Sequence, residues 1–268
     1  MATVLLAASC ASGSADPEPV AEPVAESAPA EVVQSVAPAE PDVEVVVEEP
    51  EEDDPFQVWT VTADADVGNV LEADPSFRSI ELFDAPDGNR ISFDLPVLNP
   101  TWFRTDLTLM VTEGREGDEW VKVQLPVRPN GSEAWIDTDG FTFDSHRYHA
   151  TVDLSEFHVE VFDGEDLIAA TNAVIGRDAA PTPLGTYFIN DKVQGDNGAY
   201  GSWILSLSAF SETLDTFDGG LPVIAIHGTN SPELVGQALS SGCVRVPDDV
   251  IQFLADELPL GTRVEIVT

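Results

Sequence analysis

The sequence predicts a mostly β protein in which two folded β units follow a long unfolded acidic segment. Three observations carry this. From residue 56 onward, apolar residues recur at every second position in short runs, separated by Asp-Gly and Asn-Gly pairs that supply hairpin corners. Before residue 56 there is no aromatic residue, and residues 11–55 hold eight prolines, 14 acidic groups and no Lys or Arg. Helical signals are confined to two short stretches near the C-terminal end.

Residues 1–10 read MATVLLAASC, a short apolar run, then small residues, then Cys10. This reads as a lipoprotein-type signal in which Cys10 is the lipidated residue, although no Lys or Arg precedes the run. A shortened ordinary signal, or a chance cysteine, is the alternative. Residues 11–55 repeat small units such as PEPVAEPVAE and cannot bury enough apolar area to offset ordering entropy. An extended, disordered tether stiffened by charge repulsion is expected there.

Residues 56–145 contain FQVWTVTA, SIELFD, RISFDL, TLMVTE, EWVKVQLPV and EAWIDT, separated by DAPDGN, EGREGD and RPNGS. These predict a small antiparallel barrel or sandwich with Trp59, Trp102, Trp120 and Trp135 filling its interior, and the run WVKVQLPVRPNGSEAWI is similar to a segment often found in bacterial SH3-like modules. Wall-glycan binding is a use open to such a module.

In residues 146–268, HVEVFDGEDLIAATN predicts a hairpin turning at Asp163-Gly164, and PTPLGTYFI, SWILSLS, LPVIAIHG and RVEIV predict further strands. A short helix is expected from Ser231, with Pro232 at its first position. DDVIQFLADEL predicts a longer one, with Val250, Ile251, Leu254 and Leu258 as its buried stripe.

Two residues here suggest chemistry. With Cys10 lipidated or removed, Cys243 is an unpaired thiol in an oxidising compartment, where unpaired thiols are usually avoided unless they work. Cys243 follows Gly242 and precedes a helix, so nearby backbone N–H groups are expected to lower its pKa. His227 ends an apolar strand 16 residues earlier and can serve as base. Each residue alone is as easily structural: a buried small hydrophobe or a satisfied core histidine.

PTPLGTYFI, YGSWILSLSAF, IAIHGTN, SSGCVRV and LPLGTRVEIV, in this order over about 120 residues, resemble the L,D-transpeptidase catalytic domain of YkuD type. The resemblance implies a β-sandwich-like fold with short flanking helices, in an exported, actinobacterial-type cell-wall enzyme. It implies acyl transfer by Cys243 from a tetrapeptide stem, releasing D-Ala, to the side-chain amine of an acceptor stem. His227 would be the base and the Gly228 carbonyl would hold its tautomer. Backbone N–H groups of Ser241, Gly242 and Cys243 would form the oxyanion hole, Arg245 would pair with a stem carboxylate, and Tyr200 and Thr229 would line the cleft. The family commonly has Ser-His-Gly-Cys where this chain has Ser240-Ser241-Gly242-Cys243, which leaves substrate fit and rate open. The alternatives are an L,D-carboxypeptidase and a catalytically weak wall-binding lipoprotein.

The expected partners are peptidoglycan stem peptides, with carbapenem β-lactams as inhibitors, acting on a monomer in the cell envelope. No cofactor is expected. His146-x-x-His149 has the spacing of a zinc pair but lacks a third ligand nearby, so no metal is expected. The net charge of −38 excludes a nucleic-acid partner, since phosphate backbones require clustered cations. No apolar run approaches the roughly 20 residues that span a bilayer, which leaves a lipid anchor at Cys10 as the membrane contact.

Overall fold

The computed structural model describes residues 54–63, 79–96 and 105–268. Cys10, nearly all of the 11–55 segment and Trp102 lie outside the described residues.

The first unit is built on β1 (Val58–Ala63), β2 (Ser79–Ile80), β3 (Leu95–Pro96), β4 (Thr108–Glu113), β5 (Trp120–Gln124), β6 (Glu133–Asp137) and β7 (Phe141–His146). Five of them form an antiparallel sheet in the order β6-β5-β4-β1-β7, and β2 pairs with β3. The strands expected from SIELFD and RISFDL shrink to the two-residue β2 and β3, supplemented by bridges from Phe83 to Arg90 and Trp135. β7, which no sequence signal marked, pairs along the whole of β1.

The core of this unit corrects the expectation about tryptophan. It is aliphatic: Val61, Leu82, Leu95, Leu107, Leu109, Val121, Val123 and Ile136 are all fully buried. Trp59, Trp120 and Trp135 are half-buried around it, with Trp120 edge-on to Phe83 at a centroid distance of 5.0 Å. Alternation along β5 and β6 gives the inner face to the aliphatic side chains and leaves the bulky indoles on the rim.

The second unit comprises β8 (Tyr148–Asp153), β9 (His158–Asp163), β10 (Asp166–Asn172), β11 (Ile175–Gly176), β12 (Gly185–Gln194), β13 (Trp203–Phe210), β14 (Val223–His227), β15 (Ala238–Ser240), β16 (Val244–Arg245), α1 (Asp248–Glu257) and β17 (Arg263–Val267). Eight strands form one sheet in the order β10-β9-β8-β17-β12-β13-β14-β16. The hairpin between β9 and β10 turns at Gly164-Glu165, one residue later than expected, because Asp163 still pairs with Asp166 and Gly164 takes φ 58°. β12 joins two halves of the sheet: residues 185–188 pair with β17, and after a register shift near Asn190 the rest pairs with β13. A strand that changes partners at a bulge is how a sheet bends toward a sandwich.

α1 lies over the β13–β14 half and contributes Val250, Ile251, Leu254 and Ala255 to the core, with Leu258 following as its C-cap. Asp248 and Asp249 sit in its first turn, where the helix dipole favours negative charge. Its C-terminal carbonyls are capped from β12, Lys192 Nζ donating to Ala255 O at 3.0 Å and Leu258 O at 2.8 Å. Ser231-Pro232-Glu233 does start a helical turn, a 3-10 turn over Pro232–Leu234, but Ser231 makes no side-chain cap.

The two units share a seam. Phe188 of β12 is fully buried in the core of the first unit, while its neighbours Tyr187 and Ile189 face the core of the second.

Candidate active site

Period-two geometry sorts the strands near the C-terminus into two faces. Leu205, Leu207, Ile224, Ile226, Val244 and Val246 pack in the core with α1. The alternate positions Ile204, Ser206, Val223, Ala225, His227, Cys243 and Arg245 line open clefts on the opposite side. β14 and β16 run parallel with His227 opposite Arg245, so imidazole, guanidinium and the thiol two residues before Arg245 share one face.

The turn before Cys243 is tightly specified. Ser240 Oγ accepts the Gly242 N–H at 3.1 Å and donates to Cys243 O at 2.6 Å, closing the turn on itself. Gly242 has φ 116°, and a Cβ there would come within 2.7 Å of Ile224 Cδ1. Only glycine fits such a backbone without strain. From outside, Arg177 Nη1 donates to Ser241 Oγ at 2.9 Å and to Ser240 O at 3.2 Å. The Gly242 amide is thus engaged by Ser240, whereas those of Ser241 and Cys243 are not spent in this way.

His227 is buried, and its Nδ1 lies 2.7 Å from Gly228 O. A carbonyl can only accept, so Nδ1 carries the proton and Nε2 keeps its lone pair. Burial lowers the His227 pKa to about 4, with Arg245 adding to the effect and the Gly228 and Tyr200 backbones opposing it. The Tyr200 ring lies against the imidazole at a centroid distance of 4.9 Å, tilted by 55°. The loop carrying Tyr200 is fastened by Asp248 Oδ1, which accepts the Ser202 N–H at 2.7 Å.

Cys243 is a free thiol. The helix expected to lower its pKa begins five residues later, beyond β16, and burial instead pushes the thiol up, opposed by the Ala225 backbone and Arg245. Its Sγ contacts Val223 O at 3.9 Å. The resting site therefore holds a neutral thiol and a neutral imidazole. Arg245 makes no ion pair among the described residues and its buried Nε has no hydrogen-bond partner there, leaving its charge directed at the cleft.

Two connected clefts meet at the thiol. One, about 310 Å³, is lined by Tyr200, His227, Ser241, Cys243 and Arg245 together with Leu214, Phe217 and Asp218. The other, about 350 Å³, is more apolar and adds Ile204, Leu221 and Ala225.

Residues 147–266 match the family model of the YkuD L,D-transpeptidase catalytic domain. This segment is an L,D-transpeptidase catalytic domain. It is 29% identical over 123 residues to the YkuD protein of Bacillus licheniformis, covering 46% of this chain and 67% of that protein. It is also 29% identical over 119 residues to YkuD of Bacillus subtilis, covering 44% and 65%. The chain thus spans about two thirds of the length of these relatives. An L,D-transpeptidase of Enterococcus faecium aligns at 20% identity over 44% of this chain and 49% of that chain, with a TM-score of 0.36.

Within the L,D-transpeptidase domain, the structure brings Cys243, His227, Gly228, Ser241, Gly242, Tyr200 and Arg245 to one place. It does not bring Thr229, whose Oγ1 accepts the Ser231 N–H at 3.1 Å and which lines neither cleft. Sequence reading missed the wall formed by Leu214, Phe217, Asp218 and Leu221, and the Arg177 clamp on Ser241. A signal for Arg177 was within reach: it is one of five cations in residues 146–268. His146 and His149 part company, His146 half-buried in the seam and His149 stacked between Phe56 and Phe162.

Proposed function

We propose that the chain is a peptidoglycan L,D-transpeptidase that uses Cys243 as nucleophile, and that it works outside the cytoplasm, anchored through lipid on Cys10. The observation that carries the reading is the convergence, on one sheet face of the L,D-transpeptidase domain, of thiol, Nδ1-protonated imidazole and a guanidinium that makes no ion pair among the described residues.

The donor is a tetrapeptide stem whose carboxylate pairs with Arg245. As Sγ attacks the carbonyl of the bond between the third, diamino residue and the terminal D-Ala, the thiol proton passes to His227 Nε2. The N–H groups of Ser241 and Cys243 receive the developing oxyanion, a contribution of about 3 kcal/mol per donor in comparable sites. The C–N bond then breaks, His227 returns its proton to the departing D-Ala amine, and a thioester remains. The side-chain amine of an acceptor stem attacks the thioester, giving up a proton through His227, and the thiol is released. Because Ser241 acts through its backbone, a serine there in place of histidine leaves this chemistry intact, and Arg177 supplies the rigidity of the turn. A carbapenem, whose strained lactam carbonyl is a stable electrophile, would acylate the same sulfur.

The reading is checked by incubating the purified chain with a disaccharide-tetrapeptide and analysing the products by mass. Cross-linked dimers lacking one D-Ala are expected. Tripeptide monomers alone would assign thioester resolution to water and make the enzyme an L,D-carboxypeptidase. An untouched tetrapeptide would remove the proposal.

A further inference from the structure

The loop over residues 211–222, which walls the cleft, is held from outside the catalytic domain. We propose that the N-terminal β module is its strut, with Arg128 and Asn130 as positioning residues that fix the substrate cleft. This rests on reading the cleft as the acyl-transfer site.

The two side chains lie in the turn between β5 and β6. The Asn130 amide imitates a strand edge: Nδ2 donates to Phe210 O at 2.8 Å, and Oδ1 accepts the Phe210 N–H at 2.9 Å. Arg128 Nη2 donates to Ser211 O at 2.9 Å and to Leu214 O at 2.6 Å, and its guanidinium lies 6.0 Å from the centroid of the Phe210 ring. Three carbonyls at the root of the loop, those of residues 210, 211 and 214, are therefore bound by side chains of the other unit. A planar, always-charged guanidinium suits this geometry better than a lysine ammonium.

The loop closes its own neck through the Ser211 N–H on Pro222 O at 2.8 Å, and Ser211 Oγ accepts the Thr213 and Leu214 N–H groups. These bonds shape the loop but do not orient it on the domain. On its far side it presents Leu214, Phe217, Asp218 and Pro222 to the cleft that holds Cys243. A displacement at the Arg128 end is thus transmitted to the wall facing the thiol.

The strut has a firm footing. Gln124 of β5 donates Nε2 to Thr186 O at 2.7 Å and accepts from Ser208 Oγ at 2.9 Å, and Phe188 is buried in the core of the module. The seam runs unbroken from β12 through β13 to the loop. The sequence raised wall-glycan binding as a use for this module; the geometry gives it a task inside the enzyme.

The test compares the full-length parent chain with Arg128→Ala and Asn130→Asp by hydrogen exchange, by the rate of carbapenem acylation at Cys243, and by alkylation of Cys243 with iodoacetamide. Expected in each variant is exchange of the 213–220 amides faster by about tenfold, with β12 and β13 amides unchanged, and acylation slower by about tenfold. Iodoacetamide, too small to need the wall, should react within about twofold of the parent, which separates a lost wall from a damaged nucleophile. Should Arg128→Ala unfold the chain, Asn130→Asp, which removes one donor without changing shape, carries the same comparison. Unchanged loop exchange, or faster exchange with an unchanged acylation rate, would overturn the proposal. A parent chain that the carbapenem never acylates would sink the acyl-transfer reading alone, because loop exchange is read without it.

Discussion

At the residue scale, the decisive feature is that His227 and Cys243 are both neutral at rest. Desolvation drives both, holding His227 at about 4 and lifting the thiol above its usual range. The imidazole therefore becomes a competent base as pH rises through about 4, well before the thiol ionises by itself. Acylation of Cys243 by a carbapenem should climb with a midpoint near pH 4 and then stay level through neutrality, as followed by stopped-flow absorbance. A midpoint near 6.5 would mean that the imidazole is solvated in the working enzyme, against its burial here. The same desolvation explains why Gly228 O matters: with water excluded, a single carbonyl at 2.7 Å selects the tautomer.

At the element scale, alternation in β14 and β16 performs the division between core and chemistry. Ile224, Ile226 and Val244 seat the strands on α1, and their neighbours are thereby aimed into the cleft. Leu254 of α1 is fully buried in that core, so Leu254→Ala should lower the urea midpoint by an amount equivalent to about 3 kcal/mol. A change below 1 kcal/mol would show that α1 is not what holds the strands. Much of this was legible beforehand. IAIHG and CVRV alternate cleanly, and the stripe of Val250, Ile251 and Leu254 has helical period, so the strands and the helix follow from pattern, while His227 and Cys243 were singled out by residue type and by the family resemblance. The cleft wall did not follow, because Leu214, Phe217 and Leu221 sit in a loop whose position is set by Arg128 and Asn130, more than 80 residues earlier in the chain. β7 escaped for a different reason: its pattern contains no fully buried residue, since it seals an edge of the sheet rather than filling a core. The tryptophans misled because size suggested interior, whereas alternation turns the indoles to the rim and the module's own strands fill its core with aliphatic side chains, the one fully buried ring, Phe188, coming from β12.

At the scale of the whole molecule, the two units are joined through Phe188, Gln124 and the 128–130 turn. His146 sits in this seam, its pKa lowered by burial to about 4, with Asp144, the Leu260 backbone and Asp163 opposing the shift. The unfolded chain binds a proton there below about pH 6.5, while the folded chain refuses it until about pH 4. Stability contributed by neutral His146 is thus complete above pH 6.5 and is lost as pH falls toward 4. The loss amounts to roughly 3 kcal/mol for this group. Urea unfolding of the parent and of His146→Gln at pH 7 and pH 4.5 isolates it from the carboxylates, which titrate in both. The parent should lose more stability than the variant, and parallel losses would place His146 outside the linkage. The net charge of −38 gains meaning at the same scale, because against that background Arg245 beside the thiol is a cation without an ion pair among the described residues.

The central claim is that Cys243 is the acylated nucleophile. Intact-mass spectrometry of the full chain after exposure to a carbapenem tests it most directly. One adduct of the drug's mass is expected on the parent chain, and none on Cys243→Ala. An equal adduct on both chains, or none on the parent, would contradict the account.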